Sequence, residues 1–331
     1  MRRSSTRFSE LLACPSCRSA LAAEGDARLV CTSCTAAYAN DDGIPTLRAS
    51  ADAPTEGVRE FYTHSPFPNY PPNESLSGLR RKAERSELAR LLDAAIPGDA
   101  TVLEVGCGTG QMSLFLARAD RLVVGADLTR ASLLLGREAS LRHDVAAVRF
   151  VETDLRRPGL RDGAFDVVYS SGVLHHTPDP RASFASITRL VKPGGVVVVG
   201  LYNTYARVPH RLRRALSRLT GYRWFPFDPV LRDRSAEPAR YEAWLRDQYQ
   251  HPLEHRCSVG DVQGWFRENG VEYLRCYPST LVADEPLEGD AFFSPAEDDW
   301  SFENVLSQIG WAMNPTIAAE GGLFVAVGRR G

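Results

Sequence analysis

The chain has 331 residues, 44% of them hydrophobic, and a formal net charge of −2. This length suggests a large domain with a small appendage, and the apolar fraction suffices for a sizeable core. The near-neutral balance argues against a surface built as a whole to neutralise phosphates, though a local basic patch stays open. No apolar run is long enough to span a bilayer, so stable membrane insertion is not expected; the opening Met1-Arg-Arg-Ser-Ser-Thr-Arg7 lacks the apolar core of a signal peptide, and the expected location is cytoplasmic.

Near the N-terminus, Cys14-Pro-Ser-Cys17 and Cys31-Thr-Ser-Cys34 form two C-x-x-C knuckles thirteen residues apart, while the other three of the seven cysteines are scattered. This spacing suits a four-cysteine zinc site, and in a reducing compartment a metal is favoured over disulfides. Four thiolates leave no open coordination position, so Cys14, Cys17, Cys31 and Cys34 are expected to hold a structural Zn2+, without which so small a segment could hardly fold. Leu11-Leu12, Leu21 and Tyr38-Ala-Asn-Asp-Asp-Gly43-Ile-Pro45 surround the knuckles in a pattern that resembles the small zinc-ribbon activator subunit of tRNA and release-factor methyltransferases, here fused in cis. The expected boundaries are a ribbon over 1–48 and a small, polar linker over 49–58. Phe61-Tyr-Thr-His-Ser-Pro-Phe-Pro-Asn-Tyr70-Pro-Pro combines prolines that oppose a regular helix with aromatics that ask to be buried, either across a pocket mouth or as simple packing. One helix is expected from about 76 to 95.

Thr101-Val-Leu-Glu-Val-Gly-Cys-Gly-Thr-Gly-Gln111 then runs a β-branched strand into alternate glycines and an apolar helix. Glycines at 106, 108 and 110 permit positive φ and let backbone amides approach a ligand. A dinucleotide fingerprint requires a third glycine at 111, which is Gln, so a dehydrogenase is disfavoured. Leu122-Val-Val-Gly-Ala-Asp127 reads as a second strand with a carboxylate at its tip, suited to ribose hydroxyls or else to capping the next helix. Val148-Arg-Phe-Val-Glu-Thr-Asp154-Leu155, Phe165-Asp-Val-Val-Tyr-Ser-Ser171-Gly-Val-Leu-His175-His176 and Lys192-Pro-Gly-Gly195 before Val196-Val-Val-Val199 follow in order. The series resembles the class I S-adenosylmethionine-dependent methyltransferases, in the branch that includes quinone and sterol methyltransferases. The resemblance implies a Rossmann-like α/β fold, a seven-stranded sheet with helices on both faces, and S-adenosyl-L-methionine as cofactor. It places Glu104, Gly106, Gly108, Gly110, Asp127, Asp154, Leu155 and Ser171 around that cofactor, with Asp154 toward the adenine amino group. Cys107 reads as a small side chain in a crowded loop. For a hydroxyl acceptor His176 is the candidate base, since it lies just past the fourth strand and imidazole titrates near neutrality; packing is the other reading for His175 and His176.

The methyltransferase domain is expected over 59–331, with insertions at about 202–257 and 281–320. In the first, Val208, Leu212, Leu216 and Leu219 share one helical face and Arg207, Arg211, Arg214 and Arg218 another. A lid packed by its apolar stripe is the favoured reading, beside an acidic-substrate site and a membrane-surface or RNA contact. Val259–Gly270, Val271–Cys276 and Leu323–Gly328 read as the last core helix and the closing strands, with Trp300 and Trp311 in extra helices between them. The expected function is methylation of a small-molecule or lipid-like acceptor, O- or C-methylation being favoured. RNA or a translation component is the alternative substrate, and a non-catalytic partner protein keeping the fold is the second alternative. Oligomeric state is not legible.

Overall fold

The computed structural model describes residues 7–49, 52–64, 66, 74–225, 228, 231, 238–251, 253–280, 289–296, 301–314, 317 and 321–331. The ribbon supplies β1 (Leu21–Ala23), β2 (Arg28–Cys31), β3 (Ala37–Asp41) and β4 (Ile44–Leu47), paired antiparallel in chain order. Asp42 and Gly43 turn β3 into β4 with φ of 56° and 68°. A two-residue hairpin whose twist matches its strands needs both residues in that region, and Asp-Gly enters it at low cost. β4 then pairs in parallel with β7 (Val148–Thr153), Thr46 opposite Glu152 and Leu47 opposite Thr153. Arg48 pairs with Glu152 at 2.9 Å, and Arg18 donates to the Leu160 carbonyl at 2.8 Å. Phe8, Leu11, Leu12 and Leu29 belong to the same apolar cluster as Leu160 and Phe184.

The remaining strands are β5 (Thr101–Val105), β6 (Leu122–Asp127), β8 (Phe165–Ser171), β9 (Val191–Tyr202), β10 (Val271–Tyr277) and β11 (Leu323–Arg330). The sheet order is β1-β2-β3-β4-β7-β6-β5-β8-β9-β11-β10, with β11 antiparallel to both neighbours. The expected seven strands are thus present as β5–β11, but the sheet has eleven because the ribbon adds its four at the β7 edge. Successive residues of a strand point to opposite faces. Accordingly Leu103, Val124, Val168 and Val197 join one apolar cluster, and Val102, Val123, Val167 and Val196 the other.

Helices cover both faces. α1 (Ala53–His64) is followed by α2 (Leu76–Glu84), α3 (Glu87–Ala95), α4 (Gln111–Leu116) and α5 (Arg130–Arg142); Leu79, Leu92, Phe115 and Leu133 of the last four sit in the second cluster. Phe184 of α6 (Pro180–Thr188) and Phe266 of α9 (Val259–Glu268) stack in the first, ring centroids 5.1 Å apart. Burying one such ring contributes about 1.5–3 kcal/mol. Between α6 and α9 lie α7 (Val208–Leu219) and α8 (Pro238–Leu245), and α10 (Ser301–Gly310) precedes β11.

Several boundaries differ from the sequence expectation. α1 begins inside the stretch read as a linker, because the Asp52 carboxylate accepts from the Thr55 amide at 3.0 Å and caps the helix. The helix expected over 76–95 is two: Ser86 is extended and caps α3, which ends α2 at Glu84. Lys192-Pro-Gly-Gly195 is not a turn but an irregular stretch within β9, where the register against β8 jumps. The aromatic stretch after His64 falls largely outside the described residues, as does Trp300; Trp311 is buried against Phe324.

Candidate functional site

A cleft of about 670 Å³ opens at the carboxyl ends of β5 to β9, where open α/β sheets hold their ligands. Each strand tip contributes. Gly106 follows β5, Asp127 ends β6, Asp154 follows β7, Ser171 ends β8 and Tyr202 ends β9, and all five line the cleft. Glu104, Gly108 and Leu155 line it too.

Gly106, Gly108 and Gly110 all have positive φ. A Cβ on Gly106 would collide with the Val173 side chain, so that position is closed to other residues on space as well as on backbone. Gly110 differs from the expectation: it does not line the cleft, and its missing Cβ makes room for the Phe150 ring. Asp127 organises the loop, one carboxylate oxygen accepting from the Gly108 amide at 2.8 Å and the other from the Thr129 amide at 2.8 Å. Each oxygen keeps acceptor capacity after these bonds. Burial pushes the Asp127 carboxyl up, opposed by those same backbone donors. Burial likewise pushes Glu104 up to about 7, opposed by the hydroxyl of Ser113, which donates to it. Two carboxylates in this state suit a site that a cationic or hydroxyl-rich group enters. Asp154 pairs with Arg156 at 2.9 Å, and Arg156 also reaches Asp52 at 2.6 Å, tying the start of α1 to the cleft wall. Cys107 is buried and its thiol is pushed well above its ordinary range by that burial, which fits a packing role.

The two histidines separate in the structure. His176 lines the cleft, whereas His175 lies fully buried behind it. The Nδ1 of His176 is 2.7 Å from the Leu253 carbonyl oxygen. A carbonyl only accepts, so Nδ1 carries the hydrogen and Nε2 is left as the basic nitrogen. The His251 ring packs on His176 with centroids 3.7 Å apart, and burial lowers His251 to about 3, so it stays neutral. His175 is held neutral in the same way, chiefly by its burial.

The cleft is also lined by Tyr202, Trp244, Gln248 and Leu323 from the C-terminal half and Val58 from α1, which motif reading did not select, and by Tyr62 of α1, which belongs to the aromatic stretch read as able to lie across a pocket mouth. Gln248 donates to the Tyr202 hydroxyl at 2.7 Å, and the guanidinium of Arg207 lies 3.7 Å from the centre of the Tyr202 ring. Arg207 is completely buried, donates to Gln248 and the Gly321 carbonyl at 2.8 Å each, and pairs with Glu254 at 3.0 Å. Burial opposes ionisation of Glu254, yet Arg207 and then Arg214 hold its carboxyl below the usual range. Of the residues not selected, Tyr202 carried a signal, as a polar aromatic at a strand tip.

Apart from the cleft, the sulfurs of Cys14, Cys17, Cys31 and Cys34 lie within 4.8 Å of one another. The Cys14–Cys34 and Cys17–Cys31 separations are 3.7 and 3.3 Å. A tetrahedral zinc with bonds of about 2.3 Å has sulfur–sulfur edges of about 3.8 Å, so the cluster fits such an ion.

Residues 103–199 match the family model described as a methyltransferase domain. An uncharacterized methyltransferase of Mycobacterium tuberculosis is 35% identical over 133 residues, which are 40% of this chain and 64% of that protein. The trans-aconitate 2-methyltransferase of an Azoarcus species is 28% identical over 219 residues, 62% of this chain and 82% of that one. The ubiquinone biosynthesis O-methyltransferase of Cronobacter sakazakii is 36% identical over 106 residues, 32% and 44% of the two chains. Residues 103–199 are thus similar to methyltransferase domains, and the matches support an S-adenosylmethionine-dependent methyltransferase with a Rossmann-like sheet.

Proposed function

We propose that this chain transfers the methyl group of S-adenosyl-L-methionine to a small-molecule or lipid-like acceptor, at oxygen or carbon. The observation carrying this reading is the convergence of Glu104, Gly106, Gly108, Asp127 and Asp154 in one cleft that His176, Tyr202, Trp244 and Tyr62 also line. The first group suits the cofactor: Asp127 the ribose hydroxyls, Asp154 and Leu155 the adenine, Glu104 the charged end, with Ser171 beside them. The second group is aromatic and apolar, as an acceptor pocket for an unsaturated or lipid-like molecule would be. Relatives named for ubiquinone and trans-aconitate methylation favour acceptors of this size.

Bound S-adenosylmethionine supplies an electrophilic methyl group, so this chain's share of the chemistry is chiefly positioning and exclusion of water. For a hydroxyl acceptor, Nε2 of His176 would take the hydroxyl proton as the methyl group passes from the sulfonium sulfur to the acceptor oxygen, the sulfur–methyl bond breaking to leave S-adenosylhomocysteine. The Leu253 carbonyl holds the required tautomer, and neutral His251 beneath the ring adds no competing charge. The ribbon holds one Zn2+ on its four cysteines and stiffens the sheet edge beside Asp154.

Asp127 tests the cofactor assignment. Asp127→Ala should weaken S-adenosylhomocysteine binding by roughly 1.5–3 kcal/mol, the scale of a hydrogen bond to a charged group. Because Asp127 also braces Gly108, calorimetry should include an analogue lacking the ribose hydroxyls. If the carboxylate binds ribose, the analogue binds both proteins about equally; a full loss for the analogue too would reduce Asp127 to loop support.

A further inference from the structure

α7 is mounted the wrong way round for a lid. Its buried residues are His210 and Ser217, with Arg207 just before it, while Leu212 is 63% exposed, Leu219 84% exposed, and Val208 and Leu216 exposed as well. At about 100° per residue Val208, Leu212, Ala215, Leu216 and Leu219 occupy an arc of about 100° facing solvent. Trp224, 56% exposed, follows the helix. This reverses the expected packing of the apolar stripe, and the reason is the Arg207–Glu254–Arg214 network: the inner face is fixed by ion pairs at 3.0 and 3.2 Å, which leaves the stripe outside.

We infer that α7 and the turn after it, with Leu212, Leu216, Leu219 and Trp224 as the inserted side chains, dock this protein peripherally on an anionic phospholipid surface. Charge complementarity selects this occupant. From Arg207 to Trp224 the sequence contains six arginines and no aspartate or glutamate; Arg207 and Arg214 are engaged inward with Glu254, which leaves Arg211, Arg213, Arg218 and Arg223. Arg211 and Arg218 are exposed on one rim of the apolar arc, and Arg213 is half-buried on the other. An apolar stripe bordered by arginines, with a tryptophan at its end, is how an interfacial helix combines burial in the acyl boundary with attraction to anionic headgroups.

The same features disfavour the other occupants. A second copy meeting this face about a two-fold axis would set Arg211 and Arg218 against their own counterparts with no carboxylate in the segment to offset them. RNA phosphates would engage the arginines but leave the leucines and Trp224 in water.

A second helix also exposes apolar side chains. α10 buries Asn304 and Gln308 and exposes Phe302, Leu306 and Ile309, with Met313 88% exposed after it. Both helices stand on one joint at the end of β9: the Asn203 side-chain oxygen accepts from the Tyr205 and Ala206 amides leading into α7, and its amide donates to Gln308 of α10 at 2.7 Å. Tyr202, the neighbouring residue, lines the cleft, so docking here would bring the acceptor pocket to the bilayer.

The test is flotation of the full-length protein with phosphatidylcholine vesicles, with and without phosphatidylglycerol. Binding should require phosphatidylglycerol, weaken with salt, and shift the protein's tryptophan emission to the blue, a shift lost in Trp224→Phe. Arg211→Ala with Arg218→Ala should lower partitioning about thirtyfold, at about fivefold per cation. Leu212→Asp with Leu216→Asp should abolish it, while melting and S-adenosylhomocysteine binding stay unchanged in all variants. Vesicle binding indifferent to these substitutions would overturn the inference. So would absence of binding by the unmodified protein, including the case in which it forms a dimer that Leu212→Asp dissociates. Flotation is read without activity, so its failure leaves the cofactor assignment standing.

Discussion

Replacing His176 by alanine is expected to lower kcat roughly 10²–10⁴-fold on a hydroxyl acceptor while cofactor affinity stays unchanged. The expectation rests on three observations: His176 lines the cleft, the Leu253 carbonyl at 2.7 Å places its hydrogen on Nδ1, and the ring is stacked on neutral His251. A base also shapes the pH profile, so kcat/KM of the unmodified enzyme should show an acidic limb that vanishes in His176→Ala. An imidazole that only packs would leave that limb in place and change kcat by a small factor, and such a result would return His176 to a structural role. His175→Ala, by contrast, should cost stability, because that ring is completely buried and stacks on Tyr202 at 4.0 Å.

The second large effect is expected at the ribbon. Protein purified without chelator should hold one zinc per chain, and Cys31→Ser should lose it. Zinc-finger peptides draw about 10–16 kcal/mol from their ion, far more than the hydrophobic contacts of so small a segment supply. The loss should reach the main domain, because β4 is hydrogen-bonded to β7 and Thr153 donates to the Leu47 carbonyl at 2.8 Å. Metal analysis and thermal unfolding decide it together: no zinc in the unmodified protein, or an unchanged melt after its loss, would contradict the assignment.

That the glycine loop and the tip carboxylates gather in one cleft was readable because they are local in sequence. Strand, glycines and tip carboxylates follow one another at fixed spacing, and the near-continuous apolar runs of β5, β6 and β8 announce strands buried on both faces, as in a parallel sheet. The rest of its lining was not readable in the same way. Tyr62, Tyr202 and the pair Trp244 and Gln248 come from three separate stretches, and only the fold brings them together. Two further errors have physical causes. Asp52 looked like part of a linker although an aspartate before Ala-Pro-Thr-Glu is a helix-start signal, which small-residue composition outweighed. The stripe on α7 was expected to face inward because apolar faces usually do; a buried arginine is rare enough that the opposite mounting is not anticipated from sequence. That the ribbon joins the sheet edge was likewise hidden, since Ile44-Pro-Thr-Leu47 is too short to declare a partner strand.

The most direct measurement is incubation of the purified protein with methyl-labelled S-adenosylmethionine and a cell extract, followed by separation into RNA, protein, lipid and small-metabolite fractions. The label should enter the lipid or small-metabolite fraction in proportion to enzyme, and Asp127→Ala should reduce its entry at subsaturating cofactor. Label confined to RNA or protein would contradict the acceptor class, and label in no fraction, with no calorimetric binding of S-adenosylmethionine, would contradict the methyltransferase assignment itself.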